Sequence, residues 1–342
     1  MFGRAGTLTA GRVLLFTAGM VLLLVLVMGL SLCLGTADLS AGEVLRRLAA
    51  PASAADSEGL ILFHIRLPRI LLAAVVGFSL SLGGVVFQAV LRNPLADPFI
   101  LGVSSGAAFG AVLGIILGLG FSIGVPMAAF GGSLMTLGVL MALGTRRMGE
   151  ESSTVLLTGV IINAFFTAII MFFIATTADS RLHSMLFWLY GDLGQSRYAH
   201  LVVSAPLAIA GGVVLYTFSR HLNLITAGEE TAMQVGVEVH RTKIACLVTV
   251  SLMVGLVVSF SGLIGFVGLL VPHLARMSCG SDHRILIPVA ALGGAAFLVA
   301  ADTLARVLIS PGELPVGVIT AFLGAPFFIY LLKTRGSGWG RS

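Results

Sequence analysis

Apolar, uncharged stretches follow one another along nearly the whole chain, and short segments between them hold most of the charge. The first, 13–37, has no charged residue and is long enough for a helix to cross a hydrocarbon core of about 30 Å. Others occupy 70–91, 98–145, 152–178, 201–219, 244–275, 285–301 and 314–332. Two of these are too long for one helix. Gly118–Pro126 (GLGFSIGVP) breaks the first of them into two spans, and Ser261–Gly265 (SGLIG) breaks the second into a full span and a short one. The pattern predicts an all-α membrane protein with about ten transmembrane helices, near 13–35, 68–91, 98–117, 123–145, 152–177, 199–219, 243–261, 266–277, 284–307 and 314–333. No hydrophilic segment is long enough for a second domain, so 1–342 reads as one transmembrane unit.

Composition agrees with the pattern: 57% of residues are hydrophobic and 10% charged, more apolar surface than a water-soluble core of this length can hide. The N-terminal run is longer than the apolar part of a secretory leader and reads as a span. Cys33, Cys246 and Cys279 fall in or beside apolar runs without CxxC spacing or a histidine pair, so they read as packing residues and no metal site is expected. The net charge of +5 is spread over short loops instead of one face, which argues against a nucleic-acid partner. With both termini inside, thirteen of the twenty Lys and Arg fall on the cytoplasmic side, as the positive-inside rule requires. Arg46, Arg47, Arg66, Arg69, Arg181, Arg197 and Arg306 are left on the outer side and need another reason.

Gly102, Gly106, Gly110, Gly114 and Gly118 recur every four residues and form a small-residue stripe that lets a neighbouring helix approach. Gly159–Phe165 (GVIINAF) and Gly317–Phe322 (GVITAF) echo each other in spans of opposite direction, a faint sign of an inverted repeat. No GxxxxGK[ST] occurs, and neither lysine, Lys243 or Lys333, follows a glycine-rich loop, so the chain is not expected to hydrolyse ATP. It lacks the clustered acids, paired histidines or base-activated nucleophile of an intramembrane enzyme. Its carboxylates avoid mid-span positions; Asp302, the deepest, can pair with Arg306 on one helix face. His273 beside Pro272 is a poor ligand set, and Gln88 and Asn163 are uncharged groups suited to hydrogen bonds between helices.

Four ordered stretches carry a resemblance that covers about the whole chain: 65–107 (beginning IRLPRILLAAVVGFSLSLGG and running through RNPLADPFILGVSSGA), Gly262–Arg276 (GLIGFVGLLVPHLAR), Asp282–Arg284 (DHR) and Ala301–Leu332. They resemble the FecCD-type permease family, the transmembrane subunits of ABC importers for iron-siderophores, haem and cobalamin. The resemblance implies a type II importer bundle with an inverted repeat, in the bacterial inner membrane with both termini cytoplasmic. It also implies a homodimer, two copies of a partner ATPase that uses ATP and Mg, a periplasmic substrate-binding protein, and no cofactor on this chain.

Within 220–243, Glu230–Gly236 (ETAMQVG) is similar to the family's EAAxxxG coupling motif, with Thr231 in place of one alanine. Gly228, Glu229, Glu230, Ala232 and Gly236 are therefore the expected ATPase contacts, acids starting a short helix and glycine turning the chain away from it. Arg66, Arg69 and Arg306 match arginines that meet acidic residues of the binding protein; the alternative is snorkelling, or for Arg306 a pair with Asp302. Asn93, Leu95, Ser152 and Ser153 match the cytoplasmic gate, where Arg92–Pro98 (RNPLADP) forms a stiff lip between two prolines. Outside the resemblance, an ion-coupled secondary transporter with an inverted repeat is the competing reading.

Overall fold

A computed structural model describes residues 9–35, 40–49, 57–99, 101–144, 152–177, 181–309 and 312–335. The described residues are all-helical apart from turns and loops. In chain order the helices are α1 (Ala10–Cys33), α2 (Ala41–Ala49), α3 (Ser57–Leu60), α4 (Leu67–Val90), α5 (Val103–Ile116), α6 (Gly124–Gly144), α7 (Ser152–Thr176) and α8 (Arg181–Leu189). They continue with α9 (Tyr198–Thr217), α10 (Ser219–Ala227), α11 (Glu229–Gln234), α12 (Val239–Ser261), α13 (Val267–Cys279), α14 (His283–Val307) and α15 (Val316–Arg335). Among the described residues seven spans, with α3 and α4 joined into Ser57–Val90, are long and apolar enough to cross a membrane. Val103–Ile116 and Val316–Leu331 are shorter apolar helices, and α13, at 13 residues, extends only about 20 Å.

A π-helical turn, Ile61–Arg66, joins α3 to α4 without a break. Pro68 follows at the start of α4 and has no N–H to give, so the regular ladder cannot pass through it; Leu67 N–H instead reaches back five residues to Leu62 O.

The centre of the bundle is α4, most of whose residues are buried. Its glycines explain how three helices fit together there. A Cβ on Gly77 would overlap the Gly294 carbonyl of α14, and one on Gly84 would overlap the Gly268 carbonyl of α13. Backbones meet directly at both crossings, the arrangement that small residues allow between membrane helices. Ser81 Oγ donates to Ala290 O (2.7 Å) and Gln88 Nε2 to Gly268 O (3.1 Å), so polar groups on α4 are used between helices. The glycine stripe splits by role: Gly106, Gly110 and Gly114 lie against α6, at Gly132, Thr136 and Ala128, while Gly102 and Gly118 take positive φ where α5 begins and after it ends. Replacing Gly84 by leucine is expected to abolish recovery of monodisperse protein, because the Gly268 backbone cannot move aside; size-exclusion chromatography in detergent checks this.

The most hydrophobic stretch of α1 has none of its residues buried, and only 17% of the corresponding stretch of α7 is buried. On α7, Leu157, Ile161, Phe165 and Phe172 are exposed along one chain, as are Phe322, Ile329 and Tyr330 on α15. Asn163 is also exposed on α7. His273 sits between aromatic rings, 6.1 Å from Phe327 and 6.3 Å from Phe328, and packs α13 against α15. Among the described residues no group of three His, Cys, Asp or Glu could hold a metal ion.

Candidate functional site

At one end of the bundle the segment between α9 and α12 folds into a compact projection. Gly228 (φ +151°) ends α10 and starts α11; Gly236 (φ +88°) ends the α11 turn. Both are backbone conformations that a side chain would strain. Ala232 N–H donates to Gly228 O (2.9 Å), and Val237 N–H to Ala232 O (3.0 Å). Ile225, Ala232, Val237 and Val239 form a miniature core with Leu224 against it, separate from the main core of the bundle. Ala232 is fully buried there, so its smallness is a packing requirement.

The projection is tied to the bundle at two points. Lys243, buried at the start of α12, donates to Glu229 Oε1 (2.7 Å). Asn223 on α10 donates to Asp282 Oδ1 (2.9 Å) and accepts from His283 N–H (2.9 Å), which fixes it to the start of α14. Hydrogen bonds from Arg284 and Asn223 hold the Asp282 carboxyl well below the usual range. The expected contact residues therefore divide: Gly228, Glu229, Ala232 and Gly236 build the projection, and Glu230 lies exposed on it. Beside Glu230 stand Met233 and Val235, 56% and 62% exposed, two apolar side chains on an otherwise polar knob. Sequence reasoning missed both, and Asn223 and Lys243; the signal was an apolar Met-x-Val inside a polar segment.

The lip between α4 and α5 is a rigid turn. Asn93 Oδ1 accepts from Leu95 N–H (2.9 Å), and Ala96 N–H donates to Asn93 O (3.0 Å). Asn93 thus shapes the turn and Leu95, 44% exposed, projects from it. Ser152 and Ser153 open α7, and their side chains lie outside the described residues. The lip also holds a residue the sequence reading passed over. Asp97 is buried; its Oδ1 accepts from Phe99 N–H (2.9 Å), and its Oδ2, beside Gly268, has no hydrogen-bond partner. Burial pushes the carboxyl up to about 6, the Phe99 bond opposing it.

A raised folded-state value means that the folded chain holds this proton more tightly than the unfolded one. The stabilisation is complete below the unfolded value and is lost as pH rises through about 6. In Asp97→Asn, Oδ1 can still accept from Phe99 and no charge is buried. At pH 7.5 that variant is expected to be more stable than the parent by roughly 2–3 kcal/mol, the gap closing towards pH 4.5. Thermal melts of both proteins across that range check it.

At the opposite end the arginines expected to face a partner are buried: Arg66, Arg69 and Arg306 are each 4–5% exposed. Arg69 donates from Nε to both oxygens of Asp302 (3.0 and 3.1 Å) and from Nη1 to Glu313 Oε2 (2.6 Å). Arg306 lies 3.2 Å from Asp302 Oδ2 and donates to Ser31 Oγ (2.7 Å) and Leu34 O (3.3 Å). Arg66 donates to Leu32 O (2.6 Å) and Cys33 O (3.3 Å). Arg66 and Arg306 therefore satisfy carbonyls that the C-terminus of α1 leaves open, at the negative end of its dipole. Within the chain, the charges of all three arginines are met by Asp302, Glu313, Ser31 and the carbonyls at the end of α1. Sequence spacing gave the Asp302–Arg306 pair, but not the α1 carbonyls or Arg69, which come from distant helices.

These features place a knob and a stiff lip on a helical membrane bundle with a charge cluster at its far end. The profile of the FecCD transport family matches residues 22–334. The chain belongs to that family. It is 46% identical to the cobalamin import system permease protein BtuC of Halobacterium salinarum, over 82% of this chain and 75% of that protein. It is 40% identical to the hemin transport system permease protein HmuU of Yersinia pestis, over 90% of this chain and 93% of that one. A solved ABC transporter of metal-chelate type in an inward-facing conformation matches with a TM-score of 0.83 and 32% identity, over 93% of this FecCD chain and 98% of that one.

Proposed function

We propose that this FecCD chain is the transmembrane subunit of an ABC importer for an iron chelate, haem or a corrinoid, driven by a separate ATPase through alternating access. The observation that carries this reading is the knob: a rigid, separately packed projection with Met233, Val235 and Glu230 on its surface, in a chain without a P-loop. A chain that hydrolyses no ATP can receive the ATPase's motion only through a stiff contact, and apolar side chains framed by polar ones are what such a contact needs. Asn93, Leu95, Ser152 and Ser153 then lie at the cytoplasmic gate, the knob end faces the cytoplasm, and the chain resides in the inner membrane.

A second copy would cover the exposed apolar faces of α7 and α15 and enclose a pathway between the two. A binding protein would dock on the opposite face, which the Arg69–Asp302–Glu313 cluster stiffens from within. The experiment is uptake into proteoliposomes containing the chain with its ATPase and binding protein, offered cyanocobalamin, haem and a ferric siderophore in turn. ATP-dependent accumulation of one of the three is expected; accumulation that follows an imposed proton or sodium gradient without ATP would overturn the reading.

A further inference from the structure

A cavity of about 250 Å³ opens beside α8, at the end that carries the arginine cluster. Phe121, Phe187, Trp188 and Phe260 supply its aromatic faces, and its polar lining holds Asp192, His200 and Ser259 beside His183, Ser184 and Gln195. Asp192, His200 and Ser259 each present an acceptor without a donor among the described residues. His200 is buried and stacked on Phe260 (4.6 Å between rings), with Nε2 3.2 Å from Ser122 O. A carbonyl only accepts, so Nε2 carries the hydrogen; in the neutral ring Nδ1 is then an acceptor, and it has no partner. Ser259 spends its hydrogen on Leu256 O (2.6 Å) and keeps its lone pairs. Asp192 Oδ1 accepts from Gly194 N–H (2.6 Å), and Oδ2 receives no donor from the described residues.

We propose that this cavity is a binding site for an organic cation of guanidinium or ammonium type, held by the Asp192 carboxylate, by His200 Nδ1 and by the surrounding aromatic faces. The open acceptors on Asp192, His200 and Ser259 call for a ligand that brings N–H groups, and the one carboxylate of the lining, set among aromatic rings, favours a positive one. The volume lies just under the range of drug-sized pockets, about 300–1,000 Å³, and suits a single side chain or a small amine. Arg197, the nearest cation in sequence to His200, is exposed and does not line the cavity. Burial pushes the Asp192 carboxyl above its usual range, opposed by Gly194 N–H and Arg69 and reinforced by Glu313 and Asp302, so an incoming cation would relieve an unfavourable charge. The same chemistry could arrive as a Lys or Arg side chain of a docking protein or as a free amine.

The test uses the full chain in nanodiscs with butylguanidinium as probe and its neutral counterpart butylurea as control, read through Trp188 fluorescence. Saturable binding of butylguanidinium is expected, at least about tenfold tighter than butylurea and weakened at least about tenfold by Asp192→Asn. Ser259→Ala, which removes one acceptor and little volume, should weaken it about threefold and provides a second variant. Competition between butylguanidinium and the docked binding protein would support the site and assign it to a side chain of that protein; binding unchanged by docking would support it as a site for a free amine. Equal affinity for butylurea, absence of saturable binding, or no effect of Asp192→Asn would overturn the proposal. Because direct binding of butylguanidinium to the chain needs no ATP, cargo or binding protein, that outcome is independent of the importer reading.

Discussion

Replacing Asp302 by alanine is expected to destabilise the folded chain by about 3–5 kcal/mol, the typical cost of removing one partner from a buried ion pair. Asp302 is 1% exposed and serves two guanidiniums, Arg69 on α4 and Arg306 on its own helix, both nearly as buried. After the substitution Arg69 keeps Glu313, and Arg306 keeps Ser31 and the α1 carbonyls, but each has lost its closest buried counter-charge. Thermal unfolding in detergent should show the midpoint fall by about 10 °C, with purified yield reduced. Asp302→Asn preserves shape and should recover part of the loss. An unchanged midpoint in the alanine variant would mean that the cluster does not join α1, α4 and α14 as described.

The double substitution Met233→Asp with Val235→Asp should leave the fold intact and weaken ATPase association at least about 100-fold, since it places two charges where a few central residues carry most of the binding energy, about 2 kcal/mol or more for the strongest. Neither side chain belongs to the small core of the knob, which Ile225, Ala232, Val237 and Val239 form. The melting midpoint should therefore match the parent, while ATP-dependent uptake falls to background. Size-exclusion chromatography with the ATPase and a transport assay read the two effects separately. Normal association by the double variant would move the contact elsewhere; a lowered midpoint would return Met233 and Val235 to a packing role.

The spans were readable because lipid demands long uncharged runs, and the breaks because glycine and proline end helices whatever surrounds them. Gly262 and Phe266, both at positive φ, bound the non-helical stretch between α12 and α13, within the SGLIGF segment that the glycines mark. The knob was legible as a motif, yet the motif alone did not separate Ala232, which is buried, from Met233, which is exposed; that division depends on how α11 packs against Ile225 and Val239. The intrachain partners of the arginines were hidden for a related reason. Counting charge by topology places Arg66, Arg69 and Arg306 on the outer side but cannot show that α1 ends beside them with carbonyls open. Asp97 was overlooked because its two prolines read as an ordinary turn, whereas burial beside Gly268 depends on the close α4–α13 crossing. The α8 cavity draws its lining from five separate stretches of chain, so no local pattern announces it.

The central claim is that this chain transmits an ATPase's work without performing ATP hydrolysis. The most direct measurement is to purify it in mild detergent from its native membrane and identify every protein that co-purifies in stoichiometric amount. The account predicts a P-loop ATPase, equimolar with this chain, that is lost from the Met233→Asp with Val235→Asp variant. Reproducible isolation without any ATPase, with uptake activity intact, would contradict it.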